Sequence, residues 1–261
     1  MVLSTKVGSF IKNTGTAATT QLISGLTFTT KALVLWTNSN TTESTYQDDY
    51  KFAMGFAAST GVSTGFAVAI ASQPNVDFSA TVLRAATKAL TIFSTYTTGG
   101  LGAECDLSST DATSFTLNWT SNTTSSPIIN YLALGGADLA TVYASTLSIS
   151  TGVTSVQITG LTFTADAVVF LNWGHENYGD RVHATFGYGM AASTNQQYAM
   201  YVVSETGRNT TDTWRYNTST DCAVSAIRTT GSIDMRLGWI SSNATSFTLD
   251  IEDAPAATTS V

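Results

Sequence analysis

Residues Ile23–Trp36 (ISGLTFTTKALVLW) decide the organisation of the chain, because a closely related stretch, Ile158–Trp173 (ITGLTFTADAVVFLNW), occurs in its second half. Two further pairs follow in the same order and at nearly the same spacing: FAMGFAAST at 52–60 with FGYGMAAST at 186–194, and ATSFTL at 112–117 with ATSFTL at 244–249. A period this long exceeds that of solenoid and propeller repeats. The sequence therefore predicts two tandem domains of one fold, at residues 1–137 and 138–261.

The apolar residues recur with the period of β-strands. Ala32–Trp36 and Ala167–Leu171 are apolar at nearly every position, which is typical of a strand covered on both faces. The nearest approach to a helical pattern is Ala80–Thr91, but its counterpart in the second half would be a poor helix. These features predict an all-β chain of two internally duplicated antiparallel β-sandwich domains, of jelly-roll or immunoglobulin-like type.

The clearest strand in each half alternates apolar and polar residues. Leu101–Leu107 and Ile233–Trp239 each predict one core face and one wet face, with Glu104 on the wet face. A polar turn leads from each into a second alternating stretch, at 115–119 and 247–251, so each pair predicts an antiparallel hairpin.

Other strands are predicted near the start of each copy. The extended segments are residues 6–13 and 19–24 in the first copy, and 141–148 and 154–159 in the second. The strands that contain Phe52 and Phe186 place large side chains on one face and Ala or Gly on the other. The small face allows another layer or chain to approach closely.

The two copies differ at their ends. The first closes with an apolar strand, Pro127–Gly136, whereas the second ends in a polar tail, Ala254–Val261. One sheet of the second domain is thus expected to lack its last strand, and an open edge recruits extended segments. We expect a partner strand to cover it, with residues 2–11 of the same or a neighbouring subunit as the best candidate.

The composition argues against two classes of partner, nucleic acids and membranes. Charged residues make up only 11% of the chain and the net charge is −7, without a cluster of Lys and Arg that could neutralise phosphates, so no nucleic-acid partner is expected. The N-terminus lacks a secretory signal, and no apolar run is long enough to span a bilayer. We therefore expect synthesis in the cytoplasm and no membrane partner.

The two cysteines are expected to be buried and unpaired. Comparison of the two copies aligns Cys105 with Leu237 and Cys222 with Leu90. A cysteine that exchanges with leucine is most simply a small buried hydrophobe. Nothing in the sequence resembles a disulfide-rich framework.

Few residues suit catalysis or metal binding. His175, Glu176, Asp180 and His183 cluster in the loop HENYGDRVH, but their spacing differs from that of a zincin helix, so a polar connection with an Asp180/Arg181 pair is favoured over a metal site. The acid pairs Asp48/Asp49 and Glu252/Asp253 could serve glycoside hydrolysis, yet adjacent strand residues point apart. The chain is therefore expected not to be an enzyme, with no catalytic, cofactor-binding or metal site and no cofactor.

One aromatic pair leaves two alternatives open. Trp214 and Tyr216 flank Arg215 in a polar segment. They either pack under a loop or in a subunit contact, which is the favoured interpretation, or they stack on a sugar ligand.

The ordered motifs KALVLW, FAMGFAAST, ATSFTLNW and YLALGG resemble a group of tailed-bacteriophage virion proteins of unassigned role. This chain departs from them in lacking a proline before Lys31 and a closing strand in its second copy. The resemblance implies a virion structural protein, with a capsid decoration (cement) protein as the first expectation and a glycan-binding tail or fibre component as the alternative. Its expected partners are the major capsid protein or other virion proteins and further copies of itself.

Overall fold

The computed structural model describes residues 2–47, 49–59, 64–73, 80–174, 178–209, 212–226 and 230–261. Within them the chain forms strands and no helix, so the prediction of an all-β chain is confirmed and no described segment could cross a membrane as a helix. The described pairings are antiparallel.

The first fourteen strands are β1 (Leu3–Ile11), β2 (Thr19–Ser24), β3 (Thr30–Thr37), β4 (Tyr50–Ala58), β5 (Thr64–Gln73), β6 (Ala80–Ala86), β7 (Leu90–Phe93), β8 (Leu101–Thr110), β9 (Ser114–Ser121), β10 (Ile128–Gly136), β11 (Ser148–Ile149), β12 (Ser155–Thr159), β13 (Val168–Asn172) and β14 (Gly179–Val182). The remaining seven are β15 (Ala184–Ser193), β16 (Gln196–Ser204), β17 (Thr213–Thr218), β18 (Ala223–Ala226), β19 (Ile233–Asn243), β20 (Ser246–Asp253) and β21 (Thr259–Ser260).

The chain divides into two compact units. Unit 1 contains Met1–Val76, Val82–Ser145 and Gly179–Arg181, and unit 2 contains Asp77–Thr81, Thr146–Tyr178 and Val182–Val261. Each unit therefore takes a short segment from the other half of the sequence.

Unit 1 is built on two sheets. The larger has the order β1-β10-β3-β4-β5-β6-β14, and the smaller has the order β2-β9-β8-β7. One hydrophobic cluster joins them, because Leu33 and Leu35 of β3 belong to the same core as Leu117 and Trp119 of β9. The larger sheet thus has one face against this core and an opposite outer face.

The core face of β4 carries the small residues that the sequence predicted. Ala53 and Ala57 are buried on this face with Gly55 between them. A Cβ atom on Gly55 would collide with the carbonyl group of Ala89, just before β7. The expected close approach of another layer is confirmed.

Unit 2 contains sheets of order β13-β15-β16-β17 and β12-β20-β19-β18, and a short pair β11-β21. The order β12-β20-β19-β18 repeats that of β2-β9-β8-β7 in unit 1. Phe170 on β13 shares a buried cluster with Leu237 on β19 and Leu249 on β20.

The structure departs from the sequence expectations near the start of the second copy and at the two ends of the chain. Residues 141–147 form no strand, and of the expected segment 141–148 only Ser148 belongs to a strand, the two-residue β11. The C-terminal residues are docked, because Val261 is buried and exchanges two backbone hydrogen bonds with Leu147. Within one chain, the N-terminal strand is not donated to the second half, while donation to a neighbouring subunit stays a prediction. Instead, β1 pairs with β10 along its whole length in unit 1.

Candidate interaction surfaces

The outer face of the larger sheet of unit 1 carries a line of apolar side chains. Val7, Leu132, Val34, Phe56 and Phe66 lie side by side on five adjacent strands. Four of them are half-buried, whereas Val7 at the edge of the sheet is 65% exposed. Contiguous exposed apolar side chains mark surfaces that associate.

Strand β1 is the edge of this sheet and has few of the features that normally protect an edge. Its ladder with β10 runs from Leu3 to Ile11 without a bulge, and Lys6 is its one charged residue. Leu3, Val7 and Ile11 are exposed along the strand. Long, regular, apolar edges of this kind pair readily with further strands.

A second apolar patch lies on the outer face of unit 2. We define the unit 2 patch as Val169, Met190, Tyr198 and Met200, which are all exposed, Tyr198 at 59%. The first three lie side by side on β13, β15 and β16, and Met200 follows Tyr198 on the same face of β16. The patch therefore reaches the edge of its sheet at β13.

The strands β3 and β13, which carry the matched sequences KALVLW and DAVVFLNW, differ in their neighbours. In unit 1, β3 lies between β4 and β10. In unit 2, β13 pairs with β15 and forms the edge of the described sheet. Val34 of β3 is half-buried, whereas Val169 at the equivalent place in β13 is 46% exposed.

The histidine-containing loop is only partly described. His175 and Glu176 lie outside the described residues. Asp180 accepts a hydrogen bond from Arg84 at 2.8 Å, and His183 accepts one at Nδ1 from the backbone N–H of Thr206 at 2.9 Å. Within the described residues no three His, Cys, Asp or Glu side chains are grouped as metal ligands.

Asp180 and Arg181 interact through the backbone of Asp180 and not through its carboxylate. Arg181 donates a hydrogen bond to the backbone carbonyl of Asp180, while the carboxylate of Asp180 binds Arg84 and the backbone N–H of Gly99. The carboxylate is therefore part of a network within unit 1.

Glu104 belongs to the same network, so its expected wet position is wrong. It is only 7% exposed, and its Oε1 accepts hydrogen bonds from Arg84 Nε at 2.8 Å and Thr91 Oγ1 at 3.0 Å. The polar face of β8 is covered at this point. Arg84 thereby holds two carboxylates, those of Glu104 and Asp180.

The acid pairs are divided among separate contacts. Asp48 lies outside the described residues, and Asp49 accepts a hydrogen bond from Tyr96 and pairs with Lys51. Glu252 pairs with Arg236, which also binds Asp221. These carboxylates stabilise strand ends and loops through cationic partners.

Trp214 and Tyr216 lie on β17, at the margin of the core of unit 2. Both side chains are partly buried against a cluster that includes Tyr201 and Val203. Trp214 lies opposite Val203 on the neighbouring strand, and Tyr216 lies opposite Tyr201. This placement supports the packing interpretation, although it lies in a sheet rather than under a loop.

The cysteines are buried and free. Leu90 pairs with Cys105 and Ala223 pairs with Leu237, so the structural counterpart of Leu90 is Ala223, one residue from the expected Cys222. Burial raises the pKa of the Cys105 thiol and raises that of Cys222 to about 12. Both thiols are therefore protonated and shielded at neutral pH.

A buried lysine was not predicted. Lys12 lies beside a cavity of about 50 Å³, and its Nζ donates to the carbonyl oxygens of Asn13 at 2.9 Å and Thr123 at 3.0 Å and to Oδ1 of Asn122. Its ammonium also lies over the ring of Trp119. Burial lowers the pKa of Lys12. Because three oxygens occupy its three donors, Lys12 ties strand ends together and offers no donor to a ligand.

Exposed apolar side chains lie on the edge strands β1 and β13, whereas the candidate acids and His183 are held by other parts of the chain. No protein-family model matches the chain, and no curated protein matches it.

Proposed function

We propose that the chain is a non-enzymatic structural protein of a tailed-phage virion that decorates the capsid and stabilises the head. The observation that carries the proposal is the exposure of apolar side chains on two sheet edges, at Val7 in β1 and Val169 in β13. Such edges are a liability in a protein that acts alone and an advantage in one that assembles. The major capsid protein, other virion proteins and further copies of the chain are the proposed partners.

We also propose that the two units are duplicated β-sandwiches. The repeated strand order of their smaller sheets and the shared cluster of Leu33 and Trp119 in unit 1 support this arrangement. The matched glycines Gly55 and Gly189 support it further, because each allows a neighbouring backbone to approach closely.

The test is microscopy of phage particles assembled with and without the protein. Gold-labelled antibody against the chain should mark the shell evenly, and particles that lack the protein should release DNA at a lower temperature. Label confined to the tail would favour a tail or fibre component that binds host glycans. Absence of the protein from purified particles would overturn the virion assignment altogether.

A further inference from the structure

We infer that copies of this chain associate by edge pairing, in which β1 of one copy adds to β13 of the next. The pairing would join the larger sheet of unit 1 in one molecule to the β13-β15-β16-β17 sheet in another. This inference rests on the two edges alone and does not depend on the proposed virion function.

Unit 1 shows what the edge of β13 can accept. The matched strand β3 has β10 along its second side, and Leu132 of β10 lies beside Val34. On β13, Val169 stands exposed where Val34 is half-buried, whereas Leu171, the next residue on that face, is buried. An extended segment with an apolar residue opposite Val169 would therefore reproduce the arrangement of unit 1.

β1 has the chemistry of that segment. It is nine residues long against five for β13, so the whole of β13 can pair within it. Val7 projects on the outer face, beside Leu132, and is 65% exposed. Placed next to β13, it would extend the apolar line of Val169, Met190 and Tyr198 by one strand.

Charge favours this pairing over a symmetric one between two β1 strands. A β1–β1 ladder centred on Val7 would place the two Lys6 side chains as diagonal neighbours on one face, where their like charges repel. β13 contains no charged residue, so a β1–β13 ladder avoids this repulsion. Because each copy carries one edge of each kind, the interface is heterologous and continues into a chain or a closed ring.

The test uses sedimentation velocity on the full chain and two edge variants. Val7→Lys blocks the β1 edge and Val169→Lys blocks the β13 edge, because a lysine on an edge strand opposes further pairing. The wild type should show species larger than a dimer that grow with concentration, and each variant alone should sediment as a monomer. An equimolar mixture should form dimers and nothing larger, since each variant keeps the edge that the other lacks.

Tyr198→Lys is the matched control, because it adds the same charge to the same face on β16, between β15 and β17. It should associate like the wild type, and far-UV circular dichroism should show all variants folded. A monomeric wild type would overturn the inference, and so would single variants that associate normally. Loss of association in Tyr198→Lys would place the interface on the sheet face, and mixed variants that stay monomeric would exclude a heterologous contact. A protein that is monomeric in solution yet found on the shell would leave the proposed function standing while this inference fell.

Discussion

Gly55 lies directly against the carbonyl group of Ala89, closer than any side chain on β4 would permit. Gly189 on β15 stands in the same relationship to the carbonyl group of Cys222. In each unit, therefore, the backbone at a glycine touches the backbone of a residue just before another strand. The correspondence also fixes Ala89 as the counterpart of Cys222 in the two copies.

Replacing either glycine by alanine should destabilise the unit that contains it. The added methyl group meets backbone atoms that cannot swing aside, and overpacking of this kind costs about 1–3 kcal/mol. Urea unfolding of Gly55→Ala and Gly189→Ala should show the loss. Gly238→Ala is the control, because the nearest atom to its Cβ is the mobile carboxylate end of Glu252 at 3.3 Å. Equal stability of all three variants would contradict the close contact of Gly55 with Ala89 and of Gly189 with Cys222.

Glu104→Ala should be costly, which reverses the expectation from sequence. The substitution removes a buried acceptor from Arg84 and Thr91, and unsatisfied buried polar groups cost about 1–3 kcal/mol. The loss of stability should appear as a lower thermal unfolding midpoint for Glu104→Ala. Asp106→Ala, which breaks the more exposed pair with Lys88, should cost about 0–1 kcal/mol. The network has no energetic role if the two variants unfold alike.

Leu237→Ala should lower the stability of unit 2 by about 2–5 kcal/mol, the range for truncating a buried leucine. Leu237 is fully buried between Ala223 and Ile251 on neighbouring strands. Ile240→Ala, three residues further along β19 and 45% exposed, should be nearly neutral in the same denaturant titration. A larger loss at Ile240 would mean that the strand is turned the other way.

Asp111 should make unfolding pH-dependent. Hydrogen bonds from the Ser114 hydroxyl and from Thr113 lower the pKa of this carboxyl in the turn between β8 and β9. The stabilisation by the ionised carboxylate is therefore complete above about pH 3.9, the ordinary pKa of Asp, and it is lost as the pH falls through the lowered pKa.

The matching turn of unit 2 supplies the control for Asp111. There Asn243 accepts the same kinds of hydrogen bond from Thr245 and Ser246 without a charge. Asp111→Asn should consequently fold normally and lose less stability than the wild type when the solution is acidified. An NMR titration that gives Asp111 an ordinary or raised pKa would contradict the proposed turn.

Neither cysteine should react in the folded protein. Burial keeps both thiols protonated, and the thiolate is the reactive form. Ellman's reagent should modify Cys105 and Cys222 only after denaturant is added, and both should then react because no disulfide joins them. Rapid modification under native conditions would show that one of the strands opens easily.

The sequence allowed the strands with strong alternation to be predicted closely. The predicted segment at 19–24 coincides with β2, and Pro127–Gly136 corresponds to β10. β5 was missed, although Phe66, Val68 and Ile70 alternate with alanines along it. Alanine has a low strand propensity, so a buried strand with one small face gives a weak local signal.

The buried charges could not be predicted because their partners are remote in sequence. Alternation places Glu104 on the polar side of β8, but it does not show that Arg84 covers that side. Likewise, the acceptors Asn122 and Thr123 that allow Lys12 to be buried come from the segment after β9. The exposed edge of β13 depends on which strands pair, and that too is a property of the tertiary fold.

The pairing of β1 with β10 has a consequence for synthesis on the ribosome. Leu3 faces Gly136 and Ile11 faces Ile128, so β1 leaves the exit tunnel more than a hundred residues before its partner strand β10. Contacts between residues this far apart slow folding, because the intervening chain must be ordered before they form. Until Gly136 emerges, β1 is an apolar segment of the nascent chain without its partner strand, and chaperones and proteases can reach it.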